Sequence, residues 1–118
     1  MVDIVSDDRF RVVVLGQGGE RINIYTGDTD INKDRQFKPL GIVTTPRDNV
    51  IVAAPSTHTL HILNKACILM TCYKTSDINI MYPISLAFSP TGQLYIGCCR
   101  KRGSTTKAKI YEVTISEC

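Results

Sequence analysis

The sequence predicts an all-β chain assembled from a repeated four-stranded antiparallel unit. Three observations predict it. The chain resembles itself at a spacing near 40 residues, Val, Ile and Thr crowd into short runs, and turn residues interrupt those runs about every eight to twelve positions. No stretch carries apolar residues at i, i+3 and i+4 across three turns, so almost no helix is expected.

The first copy is VDIVSDDRFRVVVLGQGGERINIY, Val2 to Tyr25, and the second is LGIVTTPRDNVIVAAPSTHTLHIL, Leu40 to Leu63. Moving Val2 onto Leu40, a shift of 38, also places Val12, Val13 and Val14 on Val50, Ile51 and Val52. Ile22, Ile24 and Tyr25 then meet Leu60, Ile62 and Leu63, and the turn residues Asp7, Asp8 and Arg9 meet Thr45, Pro46 and Arg47. A third copy follows at a shift of 44, with Pro39 on Pro83, Pro46 on Pro90, and Val50, Ile51 and Val52 on Leu94, Tyr95 and Ile96. It carries an insertion, RKRGSTTK, before Ala108 to Tyr111 resume the pattern.

The complete middle unit reads as four strands: Leu40 to Thr44, Asn49 to Ala53, Thr59 to Leu63, and Cys67 to Tyr73. Pro46, Arg47 and Asp48 supply the first turn, Pro55 to His58 the second and Asn64 to Ala66 the third, all residue types that turns favour. The apolar runs VIVAA and QLYIG predict inner strands buried on both faces. The alternation Thr59, Leu60, His61, Ile62 predicts a strand nearer solvent.

A β-rich repeat of this period is the signature of a propeller whose blades are four-stranded meanders. The blades fall at about 1–37, 38–80 and 81–118, giving a partial β-propeller of about two and two-thirds blades that opens inside a first strand. A blade buries its faces only against neighbouring blades, so the chain is expected to be a fragment, or to complete itself by self-association.

With 43% hydrophobic and 21% charged residues in 118, the composition is that of one folded domain rather than a disordered chain. No apolar run is long enough to cross a bilayer and MVDIVSDD is no secretory leader, so a cytoplasmic, or alternatively nuclear, location without membrane contact is expected. The cysteines, Cys67, Cys72, Cys98, Cys99 and Cys118, contain no C-x-x-C pair, and reduced, buried thiols are expected rather than a zinc site or a disulfide framework. His58 and His61 form an H-x-x-H, but on a strand that spacing points the rings to opposite faces, so the expectation is a turn histidine and an exposed strand histidine. No nucleophile has a base at motif spacing and no glycine loop matches a phosphate-binding loop. Neither catalytic residues nor a metal or other cofactor is therefore expected. A lactonase-like metal enzyme built around Asp48 and Asn49, or Asp7 and Asp8, is the weakest alternative, because these lie in outer turns.

Loops of a meander alternate ends, and that rule sorts the charges. One end is expected to hold Arg35 and Lys38, the Gln17 to Glu20 turn, the Pro55 to His58 turn, Met81 and Tyr82, and the loop with Arg100, Lys101, Arg102 and Lys107. The other receives Asp7, Asp8, Asp28 and Asp48, offset by Arg9, Arg47 and Lys65. The net charge of +3 hides this asymmetry. The basic end is the expected ligand surface, taking a protein partner or, alternatively, single-stranded RNA with Tyr82 and Arg100 as stacking platforms; the other reading of the Arg100 to Lys107 loop is a solvated loop that keeps the final hairpin soluble.

The phrases FKPLGIVTTPRDNVIVAAPSTHTLHILN and MYPISLAFSPTGQLYIGC resemble NHL repeats, in which an aromatic residue and a proline precede the first strand. The closing GQLYIGCCRKRGSTTKAKIYEVTISEC resembles the end of tripartite-motif proteins with a C-terminal NHL propeller, particularly the invertebrate set. Where many NHL repeats have an aspartate after the second strand, this chain has Ala54 and Cys98. The resemblance implies an interaction module, the substrate-selecting part of a ubiquitin ligase-like protein. RING and B-box segments, with their zinc sites and ubiquitin transfer, would be upstream. The resemblance also permits RNA binding, since some propellers of that group bind RNA.

Overall fold

The computed structural model describes residues 3–7, 11–15, 21–33, 35–98 and 109–114. They form three small antiparallel sheets, none of them closed, and the chain is all-β as the runs of Val, Ile and Thr imply. The first sheet is β1 (Asp3–Asp7), β2 (Arg11–Leu15) and β3 (Arg21–Tyr25). The middle sheet is β4 (Gly41–Thr44), β5 (Val50–Ala54), β6 (Thr59–Leu63) and β7 (Leu69–Lys74) in sequence order. The third is β8 (Pro83–Phe88), β9 (Gln93–Cys98) and β10 (Lys109–Thr114). Helical residues among those described are confined to two 3-10 turns, Pro55–Thr57 and Thr75–Ile78. Among the described residues no helix is long and apolar enough to cross a membrane.

The middle unit matches its expected strands within two residues at each end. Its turns are built by local polar contacts: Asn49 N–H donates to Thr45 Oγ1 at 3.1 Å, and Asn64 Oδ1 accepts from the N–H groups of Ala66 and Ile68. Cys67 belongs to this third turn, at φ 66°, and not to the fourth strand. The Asn64 carbonyl accepts its N–H at 2.9 Å and so draws it into the turn.

Both faces of the middle sheet are covered. Val50, Val52, Ala54 and Leu63 pack with Val12, Tyr25 and Phe37 on the side of the first sheet. Ile51, Ala53, Leu60 and Ile62 pack with Leu94, Ile96 and Cys98 on the side of the third. This double coverage explains why every residue of VIVAA is buried. It also overturns the solvent-facing expectation for β6, all five residues of which are buried. Polar residues at alternate positions normally mark a wet face, but here Thr59 and His61, neighbours on one face of β6, satisfy one another inside the core.

The third sheet has one covered face. Leu94 and Ile96 are buried whereas Tyr95, between them, is 37% exposed, so QLYIG is not buried on both faces as expected. Among the described residues no further sheet covers Tyr95, and the strand shows the alternation of a half-buried one.

The first copy departs from the repeat in a different way. The ungapped shift equates Val12 with Val50 and Tyr25 with Leu63, yet these pairs face one another across one interface. Val50 and its third-copy counterpart Leu94, by contrast, both look back at the preceding sheet. The first copy is therefore out of phase by one strand position. The run Val12, Val13, Val14 is apolar on either face and so does not fix its own register.

Candidate functional site

The strands of the middle sheet alternate direction, so the Pro55–Thr57 turn, the end of β7, and the segment joining β7 to β8 gather at one end. A cleft of about 770 Å³ opens there, lined by Arg35, Ser56, Thr57, His58, Lys74 and Tyr82, with Asp30, Ile31, Thr59 and Cys72 completing its walls.

His58 is the pivot. It caps the 3-10 turn in the left-handed region, at φ 52°, with its N–H donating to the Pro55 carbonyl at 3.1 Å. Its own carbonyl accepts two bonds from Thr75, from the N–H at 2.8 Å and from Oγ1 at 2.9 Å. The Nδ1 atom accepts the N–H of Tyr82 at 2.9 Å, and the Tyr82 ring meets the imidazole edge-on with centroids 4.4 Å apart. Tyr82 is itself at φ 53°. Two non-glycine residues in this sparsely populated region thus hold each other across the cleft, the kind of backbone cost that persists only where surrounding bonds over-determine it.

Arg35 reaches the cleft from a loop stitched by its own polar residues. Asp28 Oδ2 accepts from the Ile31 N–H, Asn32 Oδ1 accepts from the Asp28 N–H, and Asn32 Nδ2 donates to the Arg35 carbonyl. Gly27, at φ 108°, permits the reversal, and an added Cβ there would approach Asn32 Oδ1 to 2.6 Å. Phe37 then anchors the loop in the core, with ring centroids 5.2 Å from Tyr25 and 4.9 Å from His61.

Beneath the cleft is a buried polar chain. Ala54 O can only accept, so Thr57 Oγ1 donates to it at 3.4 Å, Thr59 donates to Thr57 at 2.8 Å, and His61 Nε2–H donates to Thr59 at 2.9 Å. That direction leaves His61 Nδ1 as an acceptor, and Tyr25 O–H donates to it at 2.6 Å. Cys72 Sγ lies 3.5 Å from the same nitrogen. Burial lowers the pKa of His61 to about 4, outweighing the opposite effect of the Asp28 carboxylate, and the ring is neutral at ordinary pH. Burial, with Asp28 adding, pushes the Cys72 thiol up to about 11 and drives the Tyr25 phenol well above its ordinary value. Burial also lowers His58, and the Arg35 and Lys74 cations lower it further. The cleft therefore offers neutral imidazole, two cations, a carboxylate and hydroxyls. Its thiol is protonated, and none of the described residues that line it is an activated nucleophile.

Of the residues expected at the ligand surface, Arg35 and Tyr82 come together here, with the Pro55 to His58 turn between them. Lys38 is exposed on the approach to β4 and does not line the cleft. Arg100, Lys101, Arg102 and Lys107, like the Gln17 to Glu20 turn, lie outside the described residues. Asp28 was expected at the opposite end. Its carboxylate instead acts on Tyr25, His61 and Cys72, and its loop carries Asp30 into the cleft, because the chain after β3 folds into a loop toward that end. His61, expected to be exposed, is 0% exposed. Sequence reasoning missed Lys74 and Cys72, which the β6–β7 pairing places opposite Thr59 and His61. Among the described residues no three His, Cys, Asp or Glu side chains are grouped closely enough to hold a metal ion.

No protein-family model matches the chain, and no curated protein matches it. Among solved structures it is similar to a protein of unknown function from Bacteroides caccae, with a TM-score of 0.64 at 16% identity. The likeness covers 94% of this chain and 44% of that one, so the chain spans less than half of that protein's length. At this identity the likeness concerns the fold alone.

Proposed function

We propose that the chain is a recognition module, a segment of an NHL-type β-propeller that takes a protein partner in the cleft between Arg35, His58 and Tyr82. The observation that carries this reading is the convergence of those side chains, from three separate connections, on one end of the stacked sheets. Serial stacking supports the propeller part of it: the first strands β4 and β8 approach so closely that an added Cβ on Gly41 would stand 2.7 Å from the Ile84 carbonyl oxygen. On the tripartite-motif resemblance, the module would select the substrate of a ubiquitin ligase-like parent.

Two features favour a protein over single-stranded RNA. Asp30 shares the cleft with Arg35 and Lys74, and charges of both signs match a protein surface, which can offer both, more closely than a run of phosphates. The Tyr82 ring already meets His58 edge-on, which leaves it at most one face for a base and does not favour sandwiching one. Arg and Tyr are also the residues that concentrate binding energy at protein interfaces.

The test is a benzophenone side chain introduced at Ser56, with the crosslinked partner identified, prepared pure and titrated against the protein. Arg35→Glu is expected to weaken that purified complex at least tenfold, about 1.4 kcal/mol. Unchanged affinity in Arg35→Glu overturns the cleft as the binding surface. Retention of a ten-nucleotide uridine RNA whose affinity falls steeply with salt, and falls again in Arg35→Glu, replaces the protein reading with the RNA one.

A further inference from the structure

The cleft at His58 carries polar groups that the fold itself leaves unused. Nδ1 of His58 accepts the Tyr82 N–H, so the neutral imidazole keeps its proton on Nε2, and among the described residues no acceptor takes that N–H. Arg35 and Lys74 both act on this ring, since they are the charges that lower its pKa. Both line the cleft and both are exposed. Among the described residues neither is held in an ion pair, although Asp30 lines the same cleft.

A hydrogen-bond donor beside two cations is completed by an anion: a bond from Nε2–H to a charged acceptor is stronger than one to a neutral acceptor, and the anion offsets the repulsion between the cations. Asp30 favours a single compact charge, because a second acidic group in the cleft would meet its carboxylate. A chain end is captured by free backbone N–H groups arranged as a nest. Here three N–H groups around the ring are already spent, that of His58 on the Pro55 carbonyl, that of Thr75 on the His58 carbonyl and that of Tyr82 on the His58 ring. Arg35, His58 and Lys74 instead offer side-chain donors, which suit a carboxylate reaching down from a segment laid across the opening.

On the reading that the cleft takes a protein partner, we infer that the group it selects is a single Asp or Glu side chain of that partner, accepting from His58 Nε2–H against the Arg35 and Lys74 cations. Glutamine and asparagine have the same shape without the charge and leave both cations unmatched. Lysine or arginine at that position is repelled.

The probe is a pentapeptide with glutamate between two serines and a glycine at each end, both termini blocked, titrated into the intact 118-residue protein and followed through the His58 ring signals by NMR. Saturable binding is expected, with the His58 pKa rising in the complex because a carboxylate beside the imidazole favours its protonated form. The matching glutamine peptide is expected to bind about tenfold more weakly. Lys74→Gln, at an exposed position, is expected to weaken the glutamate peptide by a similar factor and to leave the glutamine peptide unchanged. Equal affinity for the two peptides overturns the inference while leaving the cleft itself as a binding surface. A glutamate preference that survives both Arg35→Gln and Lys74→Gln overturns it too, as does the absence of any saturable change at His58. If the glutamine peptide with a free C-terminal carboxylate binds as tightly as the blocked glutamate peptide, the site belongs to a chain end and the side-chain assignment fails.

Discussion

Acid should unfold this protein through His61. The imidazole is wholly buried, and its Nδ1 accepts from Tyr25 while its Nε2–H is committed to Thr59, so a second proton on the ring would break the 2.6 Å bond and place a charge in the core. Its folded pKa of about 4 is below the ordinary value of 6.5. Above pH 6.5 the ring is neutral in both states and the difference contributes nothing. As pH falls from 6.5 towards 4 the unfolded chain takes up the proton first, and stability is lost across that window. The full loss is about 3 kcal/mol, of which about 2 kcal/mol has gone by pH 5. The assay is urea unfolding at pH 7.5 and pH 5, on the parent and on a Tyr25→Phe/His61→Leu variant that removes the ring and its donor together. Carboxylates and His58 titrate in both proteins, so the parent should lose about 2 kcal/mol more than the variant between the two pH values. Equal losses in the two proteins, or an imidazole pKa near 6.5 measured for His61 by NMR, would refute the reasoning.

Tyr25→Phe alone should cost about 1–2 kcal/mol at pH 7.5 by urea unfolding, the lower part of the range for an orphaned acceptor, since Cys72 Sγ remains 3.5 Å from the same nitrogen. Adding Cys72→Ala to Tyr25→Phe should then cost more than Cys72→Ala costs in the parent. Gly41→Ala should destabilise by about 1–3 kcal/mol in the same assay, because its methyl meets the β8 backbone, which cannot rotate away. Arg35→Gln should raise the NMR pKa of His58, since the guanidinium is one of the cations that hold it down.

The strands of the middle unit were legible because each short apolar run is bounded by residues that build turns for identifiable reasons, such as Asn64 and the Thr45–Asn49 pair. Burial was less so. The Thr59–His61 alternation reads as a wet strand, and only the approach of Tyr25, 36 positions away in sequence, turns it into a satisfied polar core. The phase of the first copy was hidden for the opposite reason, three consecutive valines that suit either face. In the cleft, Arg35, Tyr82 and the Pro55 to His58 turn could be placed from the alternation of loops. Asp30 could not, because the loop that carries it is shaped by Asp28 and Asn32 side-chain bonds that no periodicity records.

Site-resolved hydrogen exchange at pH 7.5 measures most directly whether the middle sheet is enclosed between the other two. Enclosure predicts that the hydrogen-bonded amides of β5 and β6 exchange slowest among the described strands, with β9 and β10 opening earlier from their uncovered side. Amides of β5 and β6 that exchange as fast as those of β10 would contradict it.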